Sequence, residues 1–281
     1  MLLTTVFREL FTTEQFERVP EPDLVMDLDE AVKAFARAGQ ANGILSGVHA
    51  FYVEHACRAI RPGDRVLDLG CGPGHLLGRI ASLNSEASFM GVDYSRPMVE
   101  EARRSFNGSN VEVRMDDMTE LASVETGSVN VVLSSMAMHH LPDTDHLRRC
   151  FLAMERVMAP GARVFVADFG RLKSVKSVEY FVRHAIPREE PRLEHDYRAS
   201  LRAAFSTEEF RAAMSRGMKA RVNLYATAVS PMMVVLMAPF PERSRASDGV
   251  FQRTIRELPH ERRADYQRLR TFLRLGGMPC K

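Results

Sequence analysis

Val66-Leu67-Asp68-Leu69-Gly70-Cys71-Gly72-Pro73-Gly74 joins a short apolar run to three glycines at alternate positions. The residues that follow, 75–83, have the spacing of an amphipathic helix, so the glycines fall in a strand-to-helix turn. Glycine lets the backbone turn tightly there and approach a ligand without Cβ collisions. In an open parallel sheet, ligands bind outside the carboxyl ends of the strands, which makes this turn the first candidate binding loop.

Outward from the turn, short apolar runs alternate with helical stretches. Strands are expected at 65–69, 87–92, 111–115, 129–134 and 163–169, with helices at 75–83, 96–106 and 145–158. Such alternation is the pattern of βαβ units and of a mostly parallel sheet covered on both faces. The runs at 129–133 and 164–167 are nearly continuous in apolar residues, as doubly buried strands require. Upstream, Leu2, Leu3, Val6, Phe7, Leu10 and Phe11 recur at helical spacing until prolines at 20 and 22 interrupt it. Two more helices are expected, one from Asp29 to Gly39 and one from Ser46 to Pro62. Downstream, 170–219 reads as helical, with a capping box at Ser206-Thr207-Glu208-Glu209. Runs at 220–227 and 232–238 are too close for a parallel crossover and must form an antiparallel hairpin. Helices at 250–258 and 259–275 complete the chain. The expected organisation is a helical cap over 1–61, an α/β domain over 62–240 with a helical insertion at 170–219, and a basic helical tail over 241–281.

Composition bounds the function. The 281 residues are 45% hydrophobic and 26% charged, with a formal net charge of +2, which does not call for a polyanionic partner. The tail holds ten Lys/Arg against five Asp/Glu, but these interleave opposite an apolar stripe, the pattern of a solvated helix docked on the domain. Cys57, Cys71, Cys150 and Cys280 form no C-x-x-C pair, which argues against a metal site and for a reduced, cytoplasmic setting. Arg8, Glu9 and Glu14 break the N-terminal apolar run, so no secretory leader is expected. No run of about 18 apolar residues suggests a membrane span.

The turn itself discriminates between cofactors. A dinucleotide fingerprint places its third glycine where His75 stands, and Asp68 would repel a pyrophosphate. A carboxylate there suits a cationic ligand, and S-adenosylmethionine carries an ammonium and a sulfonium. The series Asp68, Gly70, Gly72, Gly74 resembles motif I of class I (Rossmann-like) S-adenosylmethionine-dependent methyltransferases, with Cys71 inside the loop. Four further stretches resemble that family in order. Gly91-Val92-Asp93 corresponds to the second-strand acid that holds both ribose hydroxyls, with Tyr94 or Met98 flanking the adenine. Residues 110–117 resemble the third-strand segment, in which Asp117 would receive the adenine amino group, Asp116 replaces a usual glycine, and Met118 follows. Residues 132–143 resemble the fourth-strand motif of the ubiquinone/menaquinone-methyltransferase-like branch, with Ser134 and Ser135 beside the methionyl part of the cofactor. Residues 160–166 resemble the entry to the fifth strand. The resemblance implies a Rossmann-like seven-stranded, mostly parallel sheet with an antiparallel last strand. It further implies S-adenosylmethionine as methyl donor and S-adenosylhomocysteine as product; no metal is expected.

The acceptor is less legible. His139, of the pair His139-His140, is the candidate catalytic base and acceptor contact, since an imidazole titrates near 6.5. In the insertion, His195, Tyr197 and Arg198 are candidate acceptor contacts, and this segment is the expected lid. Asp143 reads as a helix cap. The expected activity is transfer of a methyl group to an O, N or C atom of a small metabolite. The competing readings are a nucleic-acid or other macromolecular methyltransferase and a non-catalytic cofactor-binding relative. Ser134-Ser135-Met136-Ala137 stands where base methylases carry an Asn/Asp-Pro-Pro-aromatic motif, which argues against nucleic acid. The sequence leaves homodimerisation open.

Overall fold

The computed structural model describes residues 2–12, 16–21, 37–40, 43–106, 110–185, 190–238 and 255–279. Two helices, α1 (Leu2–Phe11) and α2 (Ser46–Ala59), precede the sheet. The alternating region follows as β1 (Arg65–Leu69), α3 (His75–Ser82), β2 (Ser88–Asp93), α4 (Arg96–Ser105), β3 (Val111–Met115) and β4 (Val129–Ser135). A 3₁₀ turn at Met138–His140 leads to α5 (Thr144–Val157) and β5 (Met158–Phe169). Helices α6 (Val175–Ala185), α7 (Pro191–Ala203) and α8 (Thr207–Gly217) precede β6 (Asn223–Ala226), β7 (Met233–Met237) and α9 (His260–Leu275).

The strands form one seven-stranded sheet in the order β3-β2-β1-β4-β5-β7-β6. Strands β1 to β5 pair in parallel, and β7 enters antiparallel between β5 and β6, as the short hairpin connection demands. The fold is therefore the Rossmann-like methyltransferase sheet. Strand order reverses between β1 and β4, the place where open α/β sheets leave a crevice for ligand.

Alternation of side chains divides the core in two. Val131, Leu133, Phe165 and Val235 point to the face covered by α2, α3, α4 and α9, where Phe51, Leu77, Val99 and Tyr266 meet them. Val132, Val164, Val166 and Val234 point to the other face, against Leu147, Phe151, Met154 and Phe210 of α5 and α8. Burial of each such side chain stabilises by roughly 1.5–3 kcal/mol, which explains why these strands read as continuous apolar runs.

Three expected elements differ in extent, β6 among them, which spans only Asn223–Ala226 of the run expected at 220–227. Strand β5 begins at Met158, earlier than its apolar run, because Val129 pairs with Met158 before an irregularity shifts the register. Helix α5 consequently ends at Val157. The helix expected from Asp29, most of the one expected over 250–258, and Cys280 lie outside the described residues. The Ser206 capping box is present in both halves, with Ser206 Oγ accepting from Glu209 N–H. Among the described residues no helix is long and apolar enough to cross a membrane.

Candidate functional site

The carboxyl ends of β1, β2, β4 and β5 open into a cavity of about 1100 Å³. Its floor is the glycine turn. Gly70 has φ +66°, and a Cβ there would stand 2.3 Å from the Cβ of Ala137. Gly74, at φ +81°, leads into α3, and a Cβ would sit 2.4 Å from the Phe106 ring. No L side chain fits either position, so both glycines are dictated by backbone conformation and close packing.

Asp68 and Asp93 border this end of the cavity. Asp68 is buried, and its Oδ1 has no hydrogen-bond partner. Burial, reinforced by the Asp93 charge, pushes its carboxyl up to about 7. Asp93 is fixed at the end of β2, with Oδ2 accepting from Gly72 N–H at 2.8 Å and Oδ1 accepting from Ser95 N–H at 2.9 Å. An orphaned buried acid beside a backbone turn that excludes Cβ atoms fits a ligand carrying a cationic amino-acid end. The donor set of S-adenosylmethionine is of that kind.

The other expected cofactor residues divide. Gly70, Cys71, Gly72, Tyr94, Met98, Met118 and Ser135 border the cavity, whereas Gly74 does not. Cys71 remains a thiol, because burial and then the Asp93 and Asp68 charges push its pKa up. Asp116 and Asp117 do not border the cavity. Asp116 instead folds its own loop, accepting from the N–H groups of Asp117, Ala122 and Ser123 and from Ser123 Oγ. Asp117 Oδ1 accepts from Thr119 N–H at 2.7 Å. Ser134 lies beneath the cavity, donating to the Leu69 carbonyl at 2.9 Å and tying β4 to β1.

The opposite wall comes from the sheet edge and the insertion and, unexpectedly, from the tail. Phe169, Tyr180, Phe181, Tyr197, Met232 and Phe272 contribute to it. Tyr197 is thus brought to the cavity, whereas His195 and Arg198 are not. On α7 the inward face carries Leu193, Asp196, Tyr197 and Ser200, at helical spacing. His195 is exposed on another face, and Arg198 is engaged by Glu179 at 2.9 Å and Glu194 at 2.6 Å. Asp143 caps α5, accepting from the N–H groups of Asp145 and His146.

His139 is buried and borders the cavity. Its Nδ1 lies 2.7 Å from Asp168 Oδ1. The same carboxylate accepts the N–H groups of Met138 at 2.6 Å and Phe169 at 2.7 Å. A carboxylate that accepts this many donors has none to offer, so Nδ1 carries a proton toward Asp168 and Nε2 is turned toward Glu21. Glu21, from the segment between α1 and α2, closes over the pair. Its Oε2 is 2.9 Å from His140 Nδ1, and its Oε1 is 3.8 Å from His139 Nε2. Ser200 Oγ donates to Glu21 Oε1 at 2.8 Å.

The sequence does not by itself single out Asp168, Glu21 or the tail wall. Asp168 had a visible signal, an acid ending the apolar run of the fifth strand. Glu21 and Phe272 had none, since nothing local says where their segments dock.

The comparisons with known proteins agree with this geometry. A model of the methyltransferase domain matches residues 60–211. An uncharacterized 37.1 kDa protein of transposon TN4556 from Streptomyces fradiae is 32% identical over 52% of this chain, but the match spans only 39% of that protein's length. A ubiquinone biosynthesis O-methyltransferase from Xanthomonas oryzae pv. oryzae is 28% identical over 63% of this chain and 75% of its own. The solved plantazolicin methyltransferase BpumL, in complex with a monoazolic desmethylPZN analog and SAH, shares the fold with a TM-score of 0.56 at 15% identity, covering 82% of this chain and 86% of that one. With motif order, sheet topology and more than half its length in agreement, the chain belongs to the methyltransferase-domain family of class I S-adenosylmethionine-dependent methyltransferases.

Proposed function

We propose that this methyltransferase acts on a small molecule held between the aromatic wall and His139, under a lid formed by α6 and α7. The observation that carries the reading is one continuous cavity, running from the glycine turn to the His139–Asp168 pair and walled by aromatic side chains. A deep, mostly apolar pocket with a few fixed polar groups suits a metabolite better than an exposed strand or protein surface. Cys71 and Cys150 are free thiols, which fits a cytoplasmic setting.

Asp68 would face the ammonium of the cofactor and Asp93 its ribose hydroxyls, with Tyr94, Met98 and Met118 around the adenine. Asp117 retains a place in this reading only if the adenine reaches the cavity rim. The bound cofactor supplies a methyl carbon already activated by its sulfonium. The protein's part is to hold the acceptor about 3 Å from that carbon and in line with the breaking bond. Aromatic walls orient a planar acceptor, and His139, fixed by Asp168, borders the acceptor side of the cavity.

Calorimetric titration with S-adenosylmethionine, S-adenosylhomocysteine and NAD tests the foundation. Micromolar binding of both sulfur nucleotides, lost in Asp93→Ala, is the expected result. Binding of NAD alone, or of none, would overturn it. A methyl-transfer screen against phenolic, amine and carbon acceptors beside an RNA pool then tests the acceptor class, and turnover of RNA alone would sink the small-molecule reading.

A further inference from the structure

The cluster facing the acceptor is richer than an oriented base requires. His139, His140 and Glu21 offer three ligand atoms that all lie within 4.8 Å of one another. An ion pair between Glu21 and His140 accounts for their 2.9 Å approach. It does not account for His139, whose Nε2 is buried, has no hydrogen-bond partner, and faces the same carboxylate from 3.8 Å. A buried ring nitrogen and a carboxylate oxygen thus face one another across a gap too wide for a hydrogen bond.

We propose that Glu21, His139 and His140 form a divalent transition-metal site at the acceptor end of the cavity. The inference deepens the proposed function and rests on the same cavity. Three features support it. First, His139 Nε2 stands 3.8 Å from Glu21 Oε1 and His140 Nδ1 stands 2.9 Å from Glu21 Oε2, near the roughly 3.3 Å that ligands about 2.0–2.2 Å from a tetrahedral ion keep from one another, so side-chain rotations would bring the three onto one ion. Second, two of the ligands have outer partners of the kind metal sites use. Asp168 accepts from His139 Nδ1, which turns Nε2 into the ligating nitrogen, and Ser200 holds Glu21. Third, two imidazoles and one carboxylate favour zinc, iron or cobalt over magnesium, whose preference is for oxygen.

Three protein ligands leave coordination positions open, and His139 and His140 border the cavity. An acceptor carrying a hydroxyl or enol oxygen could take one of them, and coordination would ease loss of its proton to solvent. The substrate class this favours is an oxygen acceptor, with the aromatic wall holding the rest of the molecule.

The test is metal binding itself. Metal-stripped full-length protein is dialysed against Zn²⁺, Co²⁺ or Mg²⁺, and bound metal is counted against protein. One Zn²⁺ or Co²⁺ per chain is expected, with visible Co²⁺ absorption bands and no retained Mg²⁺. Glu21→Gln and His140→Ala should each abolish stoichiometric binding, and Asp168→Asn should weaken it about 10–100-fold. S-adenosylhomocysteine titration of every variant confirms a folded domain and tests the cofactor reading separately. Zn²⁺ binding that is absent, or unchanged in Glu21→Gln and His140→Ala, overturns the site even where the nucleotide binds normally.

Discussion

Asp68 concentrates the electrostatics of the cofactor end. Its folded pKa of about 7 is raised above the ordinary carboxylate value of 3.8, first by burial and then by Asp93. A raised carboxyl pKa costs stability rather than adding it: the penalty is absent below pH 3.8, grows as the pH rises, and is complete above about 7. Asp68→Asn should therefore stabilise the ligand-free protein at pH 8 by a few kcal/mol, on the scale of about 1.4 kcal/mol per unit, and change little at pH 4. Cofactor affinity should run the other way. A cationic group beside Asp68 favours the ionised form, so affinity for S-adenosylmethionine should rise between pH 6 and 8 and the variant should lose that dependence. Titrations across this range, in buffers of different ionisation enthalpy, would register the released proton. A flat profile would remove Asp68 from the ammonium site. Residues of this kind were legible in the sequence because a strand-end acid beside a glycine turn is a local pattern. The partners of His139 were not, because Asp168 meets it across two strands and Glu21 reaches it from outside the sheet altogether.

At the scale of elements, the segment 16–21 is what completes the acceptor end, and Arg18 holds it there. Its guanidinium donates to the carbonyls of Ala203, Pro142, His139 and Leu141 at 2.5–2.9 Å and lies 3.8 Å over the Phe205 ring. One side chain thus ties the histidine turn to the end of α7. Val19 N–H adds a bond to the Arg202 carbonyl at 3.1 Å. Arg18→Ala should lower stability by about 2–3 kcal/mol, the net worth of charge-assisted hydrogen bonds of this geometry. Arg18→Lys should restore little of it, since a lysine cannot bridge carbonyls on both elements with a planar fork. The denaturant midpoint should fall at constant m-value, and amide exchange should quicken around 139–142. A loss under about 0.5 kcal/mol would mean that the segment is not docked. Periodicity explains what was readable here. It predicted α7 as a helix yet not its rotation, so Tyr197 proved to face the cavity while His195 and Arg198 faced elsewhere.

For the whole molecule, the cavity is a joint product of sheet, cap and tail. The mostly parallel sheet with its antiparallel last strand was legible from motif order and one short connection, whereas the strand order β3-β2-β1-β4-β5-β7-β6 is seen only in the structure. The docking of α9 could not: an apolar stripe says that a helix is covered, without saying by what. In the structure Tyr266 of α9 donates to Glu54 of α2 at 2.7 Å in the buried core, while Asp265, Arg268 and Phe272 of the same helix reach the cavity. A ligand filling the cavity therefore touches elements from both ends of the chain. S-adenosylhomocysteine at 100 times its dissociation constant should stabilise the native state by about 2.7 kcal/mol. For a chain of this size that raises Tm by roughly 5 °C. NAD at the same concentration should leave Tm unchanged. Because the walls are shared, amide protection should rise in α2 and α9 as well as in the glycine turn. Protection confined to residues 70–98 would instead mean that cap and tail enclose the acceptor alone, and that the cofactor reports only on the sheet.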